Sequence, residues 1–443
     1  VKFKGGYAMK GAEIIANGTP TNPSSVQIFY KGKLRVIAKS DYFSLKDDRI
    51  NALSTEIIIL TDSGTIFHPK LRFNLNMDRK QLIMTRGKNG LEQAPLFNND
   101  QQIDIFVDQV IWDLELPQIT FDMTGNDSKA FMESKDFYKE IRYEKIPRGM
   151  LKYHPLSKMR DFVIKHRKRE FTFTEYANWM GSKQMYLKPQ IVQLADLGYL
   201  FFNPASDSIK IRTKLDHAVL SHLKLADYDV IRFSSQISAR PNAFLNLINN
   251  TFIIEGVRAF RLSDSQSVYV YPHEQMVTLK HKRRMTFGGK VTAGKFDFYA
   301  DNFEFDYFTF DISSDHIEEM VIYTEDRSGK SGFVAVKSAI TDINGTLEID
   351  KPNNKSGLED FSEYPRFTSK KGSKITYDKA SIHNGAYDKE DFYFEVDPFT
   401  IENMDNFETE DLSFPGIFKS GGIIPEFRYE AKIMDDYSLG FEK

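Results

Sequence analysis

The chain of 443 residues is nearly neutral, with 59 Lys and Arg against 62 Asp and Glu, and it has no cysteine, which excludes disulfides, thiolate metal sites and cysteine nucleophiles together. No apolar run approaches the ~20 residues that cross a bilayer as a helix. At this length two to four domains are expected rather than one growing core, and 37 Phe and 21 Tyr favour the pleated, half-buried surfaces of sheets.

The charge is unevenly spread. From Glu144 to Lys290 there are 24 Lys and Arg against 12 Asp and Glu, or +12, whereas from Asp342 to Lys443 the count is 12 against 22, or −10. Such asymmetry points either to an anionic partner for the middle or to attraction between parts of one assembly.

The opening VKFKGGYAMKG carries neither an initiator Met nor a signal peptide and already reads as strand, so a processed chain or a section of a longer one is expected. The first 125 residues read as consecutive strands. Val26, Ile28 and Tyr30 alternate with polar residues, Lys31-Gly32 turns the chain, and Leu34, Val36 and Ala38 resume the alternation, which predicts a hairpin. Leu71, Phe73, Leu75 and Met77 alternate with Arg72, Asn74 and Asn76, the period of a sheet with one wet face. Asn89-Gly90 offers another turn before Ile103, Ile105 and Val107 and then Trp112, Leu114 and Leu116.

From about Asp127 the period changes, and helix is predicted over Ser128 to Ile141 and over Leu156 to Lys168. The stretch from Phe171 to Thr213 then reads as a helix over Thr174 to Met180, a turn at Gly181, a helix from Pro189 to Leu197 stopped by Gly198, and two strands, Tyr199 to Phe202 and Ser208 to Arg212. Helix, turn, helix and a two-stranded wing is the order of the winged-helix family, which this stretch resembles without any invariant motif. Strands return over Phe252 to Leu262, Ser267 to Tyr271 and Met276 to His281, and continue from Gly332 to Lys337, Gly345 to Ile349, Ile375 to Tyr377 and Asp391 to Val396, between turns such as DKPNNKSG.

The segment GGKVTAGKFDFYADNFEFDYFTFDI, Gly288 to Ile312, nearly spells a phosphate-binding loop. Gly289, Gly294 and Lys295 match, but Phe296 stands where the Mg²⁺-binding hydroxyl belongs. Phe296, Phe298 and Ala300 alternate with polar residues, which predicts a strand where the motif needs a helix aimed at the anion. Gly5, Gly6 and Gly11 repeat the spacing of Gly288, Gly289 and Gly294, so these glycines are expected at turns or bulges that start strands, and no cofactor is expected.

Other chemistry is thinly supported. The nine histidines include no zinc-binding spacing, and His217 and His222 would not share a helix face. Acidic pairs such as Glu304 with Asp306 or Glu408 with Glu410 read as solvated strand faces, and Asp350, Asn353, Asn354, Ser356 and Glu359 depart from the spacing of a calcium loop. Two basic runs form a possible anion-binding surface: Lys165, Arg167, Lys168 and Arg169, and Lys280, Lys282, Arg283 and Arg284. The helix from Pro189 to Leu197, which would face DNA in a winged helix, carries Gln190, Gln193 and Asp196 and is poorly armed for it.

At the tail, GTLEIDKPNNKSGLEDFSEYPRF, YDKASIHNGAYDKEDFYFEVDPF and FPGIFKSGGIIPEF, with YAMKGAEIIANGT and VQIFYKGK near the start, resemble stretches of very large uncharacterised cell-envelope proteins of Bacteroidetes-type bacteria. That resemblance implies one section of a long exported protein, in the periplasm or at the outer membrane, partnered by envelope proteins or by further segments of its own longer chain, and it brings no catalytic residue. By fold analogy, Gly-initiated strands are similar to open β-jellyroll bridges that carry lipid, in which Phe296, Phe298, Phe303 and Phe305 would line an apolar groove; in a plain scaffold the same four fill a closed core. The expected fold is mainly β, with antiparallel sheets of jellyroll or solenoid type over 1–125 and 241–443 and a central α/β winged-helix-like insert over 126–240. The expected role is structural or assembly and non-enzymatic, with a lipid-carrying groove and nucleic-acid binding as alternatives and a glycan-active enzyme acting through carboxylates as the residual one.

Overall fold

The fold is that of a computed structural model describing residues 1–10, 13–19, 22–87, 90–125, 129–147, 153–237, 239–327, 332–378, 383–409 and 412–441. Gly11, Asn89 and Ser128, on which expectations above rest in part, lie outside the described residues. The chain is mainly β, 48% strand against 14% helix, and its sheets are antiparallel. Contacts divide it into two units, Val1–Val257 with Thr278–Arg283, and Arg258–Val277 with Arg284–Lys443, so the helical stretch is nested inside the first unit.

The first unit is built on long strands that change partner halfway. In Thr65–Asn76, the residues Ile66 and His68 are buried, then Leu71, Phe73 and Leu75, with two half-exposed residues between the sets. The phase of the alternation slips at Pro69-Lys70, where the ladder with Arg49–Leu60 also shifts register. The half of Arg49–Leu60 before the shift pairs with Tyr42–Leu45 and the half after it with Lys33–Ser40. Thr65–Asn76 likewise divides between Gln81–Thr85 and Leu96–Asn98. A bulge that bends a strand this way lets one strand serve two sheets and keeps its apolar side inward in both. At the bend the buried Ser40 hydroxyl lies 2.7 Å from Ser54 O and 3.0 Å from Tyr42 O.

The second unit repeats the device. Arg284–Ala293, Phe296–Asp306, Asp311–Glu325 and Ile340–Glu348 pair in sequence, and their ladders shift between Phe287 and Gly289, between Tyr299 and Glu304, and between Ser314 and Ile317. Buried Ser314 takes the place of Ser40, its hydroxyl 2.8 Å from Asn302 O and 2.9 Å from His316 O. At the first bulge Gly289 has φ +127°, and a Cβ there would sit 2.4 Å from Tyr271 O. Gly294, with φ +55°, makes the hairpin turn before Phe296, so strand follows Lys295 and no helix stands there to seat a phosphate.

The helical stretch departs from expectation at its start. Where helix is expected up to Ile141, the described residues form a strand, Ala130–Ser134, held between Ile103–Phe106 and Arg232–Ser235, followed by the short helix α1, Glu140–Glu144. Pairing on both edges overrides the weak helical period. Helix α2, Pro155–His166, ends at Arg167 in the left-handed region. Helix α3, Phe173–Trp179, opens with a capping box in which Thr172 Oγ1 accepts from Glu175 N and Glu175 Oε2 accepts from Thr172 N. Helix α4, Gln184–Asp196, starts earlier than Pro189 because its buried stripe of Leu187, Ile191, Leu194 and Ala195 begins before the proline. The strands Leu200–Asn203 and Ser208–Ile211 form a three-stranded sheet with Glu170–Thr172, Ser208–Ile211 in the middle, and helix α5, Thr213–His222, follows. The expected strand from Phe252 to Leu262 is two, Phe252–Ile254 and Phe260–Ser263, separated where Gly256 takes φ +71°.

Replacing Gly289 by Ala drives a methyl group into the Tyr271 carbonyl at an unfavourable φ and should cost about 2–4 kcal/mol. Gly181→Ala, also at positive φ but with open space around it, should cost about 1 kcal/mol, and urea midpoints of the two variants against the parent chain measure the difference.

Candidate functional site

The most concentrated chemistry lies in the first unit, where three strands carry a charged row. Asp104 on Ile103–Phe106 is directly opposite Glu133 on Ala130–Ser134, and Glu133 is opposite Arg232 on Arg232–Ser235. Residues facing each other across a ladder project from the same side of the sheet. The other side of the first strand holds Ile103 and Ile105 in the apolar core, so Asp104 falls on the face that a two-residue period assigns to water. Instead the helical segment covers it, and Asp104 and Glu133 are 0% and 1% exposed.

Two adjacent buried carboxylates repel and lose hydration, so they survive ionised only with cations on them. Arg212, the residue capping α5, places Nη2 2.7 Å from Asp104 Oδ1 and donates from Nη1 to Gly198 O at 2.6 Å. Lys214 in α5 brings Nζ within 2.5 Å of Asp104 Oδ2 and 4.0 Å of Glu133 Oε2. Arg142 on α1 donates from Nη1 to Glu133 Oε1 at 2.6 Å, and Arg232 Nε lies 3.1 Å from that same oxygen. Burial pushes the Asp104 carboxyl up, but Arg212 and Lys214 outweigh it and hold the group below the ordinary carboxylate range.

A second knot adjoins it. Asp229, fully buried, accepts from Ser134 Oγ at 2.6 Å and from Ile231 N at 2.9 Å, while Arg283 reaches Asp229 at 3.2 Å and Asp136 at 2.5 Å. Burial raises the Asp229 carboxyl, and Arg283 only partly offsets this. Chemically, these groups clamp helix to sheet: each acid carries at least one cation, and the Asp104, Glu133 and Asp229 side chains are buried.

An open cleft of about 550 Å³ also lies in this unit, lined among others by Lys39, Glu56, Phe67, Lys70, Phe201 and Lys210. Phe67 and Phe201 meet edge to face at 4.8 Å across it, and Lys39 pairs with Glu56 at 2.9 Å. Its walls come from strands far apart in sequence, so no local motif announces it.

The residues singled out from sequence are scattered. Phe296, Phe298, Phe303 and Phe305 are all 0–2% exposed and pack on rings of the second unit, Phe298 on Phe367 at 4.7 Å and Phe305 on Phe310 at 6.0 Å. They fill a closed core there rather than line a trough. Of the first basic run, Lys168 pairs with Glu175 and Arg169 with Asp216, Lys165 lies over the Trp179 ring, and Arg167 is exposed. In the second run Arg283 is the internal clamp just described, Arg284 pairs with Glu304, Lys282 is exposed and Lys280 half-buried. His217 and His222 turn to different partners, Asp227 O and Glu140 Oε1. Asp350 and Asn354 are brought together, but the Asp350 carboxylate takes N–H donors from Lys351, Asn354 and Gln266, an arrangement that ties a turn. Among the described residues no group of three or more His, Cys, Asp or Glu side chains is placed to hold a metal ion.

No family model matches the chain, and neither the curated proteins nor the solved structures contain a match to it.

If the Asp104 clamp is a solvent-excluded ion cluster, Asp104→Leu strands two buried cations and should cost about 3–5 kcal/mol, whereas Asp104→Leu with Arg212→Met and Lys214→Met should recover most of it. Urea denaturation of the two variants reads the comparison directly.

His68 is a buried neutral ring: Nε2 lies 2.8 Å from Ala94 O and Nδ1 accepts from Lys70 N at 3.0 Å, which fixes the proton on Nε2. Burial, then the Arg86 charge, push it from 6.5 down to about 3. Because the unfolded ring takes up a proton that the folded one refuses, its contribution is intact above pH 6.5 and drains away as pH falls from 6.5 toward 3. Asp196, raised from 3.8 to about 6 by burial, acts in the opposite direction between those values. The stability advantage of the parent chain over His68→Gln should therefore shrink by about 1.4 kcal/mol per pH unit below 6.5, as followed by urea titrations at several pH values.

Proposed function

We propose that the chain is a non-enzymatic structural or assembly section of a bacterial cell-envelope protein. The observation that carries this reading is how the charged chemistry is used: buried acids and cations are spent on joining a helical segment to bent-strand sheets. The likeness of both ends to large envelope proteins supports the location in the periplasm or at the outer membrane, with other envelope proteins or further segments of a longer chain as partners. No helix among the described residues is long and apolar enough to cross a membrane.

Within that reading the stretch from α2 through Ser208–Ile211 is a winged-helix-like module used for protein contact. Its order of helix, strand, helix, helix, strand, strand and its middle strand Ser208–Ile211 support the likeness. On α4, Met185 and Tyr186 are 68% and 63% exposed, an apolar tip suited to a protein surface rather than to phosphates. The sealed Phe296, Phe298, Phe303 and Phe305 favour a scaffold over a lipid carrier.

Expression of the tagged chain in a Bacteroidetes-type host, with a photo-crosslinking residue in place of Tyr186, should yield envelope-fraction protein and discrete protein adducts. A native mass equal to the bare polypeptide is also expected. Co-purified lipid would instead support the carrier, duplex retention in about 0.2 M salt the nucleic-acid reading, and recovery in the cytosol without adducts would defeat the proposal.

A further inference from the structure

Arg142 and Arg232 stand apart from every other cation of the clamp. Both touch the same oxygen, Glu133 Oε1, one through Nη1 at 2.6 Å and the other through Nε at 3.1 Å, so the two guanidinium groups are held side by side. Glu133 is 1% exposed beneath them, while the arginine side chains are 30% and 40% exposed above it. Each is braced by an aromatic ring, Arg232 over Phe131 at 3.9 Å and Arg142 over Phe137 at 5.7 Å. Arg142 donates one N–H to Glu133 and Arg232 is ion-paired with it, and among the described residues neither side chain donates any other hydrogen bond.

The local charge is unbalanced. Asp104 and Glu133 face Arg142, Arg212, Lys214 and Arg232, two negative charges against four positive. Adding Asp136, Asp229 and Arg283 gives four against five. The excess is presented to solvent at the two arginines, because Arg212 and Lys214 are buried. Like-charged guanidinium groups pinned together with outward donors, and stiffened so that little side-chain freedom is lost on binding, make a receptor for an oxyanion.

We propose that Arg142 and Arg232 form a binding site for a phosphate group, the Glu133 carboxylate acting from behind as the residue that positions both forks. A phosphate monoester suits it because it brings close to two negative charges and several acceptor oxygens to two forked cations. The same chemistry is offered by a soluble phosphate and by a phosphomonoester lipid headgroup.

Calorimetric titration of the chain with inorganic phosphate, and sedimentation with phosphatidylcholine vesicles with and without phosphatidic acid, separate the two sources. Saturable binding to either probe is expected, weakened about tenfold or more in Arg232→Gln and unchanged in Arg284→Gln, whose arginine is paired with Glu304. Arg232→Gln leaves Arg142 and Lys214 on Glu133, so the variant should keep its near-UV circular dichroism, and Arg232→Lys should bind between the two. Phosphate alone would indicate a soluble ligand, and phosphatidic acid vesicles alone a headgroup. Non-saturating uptake, or equal binding by Arg232→Gln, would reduce the site to an adventitious ion only and overturn the proposal.

Discussion

Two carboxylates opposite one another on neighbouring strands, sealed from water, are tolerable only with cations on their oxygens, and the first unit is organised around that requirement. Asp104 and Glu133 are contributed by the sheet, while Arg212, Lys214 and Arg142 come from the helical segment. Such an ion cluster adds little net stability over a well-packed apolar replacement, because desolvation consumes most of the Coulomb gain. What it does supply is position. A one-residue slip of Ile103–Phe106 would turn Asp104 into the apolar core and Ile103 and Ile105 toward Arg212 and Lys214, so the charged row and the apolar row specify the same register from opposite faces.

The sheets on which this depends were partly readable. Period-two alternation locates the hairpin around Lys31-Gly32, the strand after Lys295 and most of the tail. A finer signal is also present in the letters: Phe296, Phe298 and Ala300 occupy even positions and Phe303 and Phe305 odd ones, and all five are buried. A change of phase within an apolar alternation is the mark of a bulge, since only an extra residue returns both halves to one interior. Ile66 and His68 followed by Leu71, Phe73 and Leu75 show the same slip in the first unit. Reading the four phenylalanines as one continuous row misses that slip and turns a bent core strand into the wall of a groove.

The strand Ala130–Ser134 was not readable, for a different reason. It mixes Phe and Met with Ala, Glu and Ser and has a passable helical period, and its conformation is decided by Ile103–Phe106 and Arg232–Ser235 pairing to its two edges, the latter from beyond the whole helical segment. Helix α4 shows the milder form of this effect: proline suggests a start, but the buried stripe beginning at Leu187 sets it. Local preferences amount to tenths of a kcal/mol per residue, and burying one leucine side chain exceeds several of them.

Charge is where composition misled most. A run such as KHKRR registers as a basic patch, yet Arg283 within it is spent on Asp136 and Asp229, acids 147 and 54 residues away along the chain. Conversely, Arg142 and Arg232 belong to no run at all and meet because α1 leans over a strand whose partner carries the second arginine. A count of like charges per segment measures solvated density, which salt screens within about 10 Å, whereas recognition of an anion needs a few donors held at fixed spacing in a half-dry setting. That spacing is a property of strand register and helix docking. It therefore becomes visible only once the buried carboxylates beneath have been placed, and this ties the part-exposed Arg142 and Arg232 to the same interaction that holds the unit together.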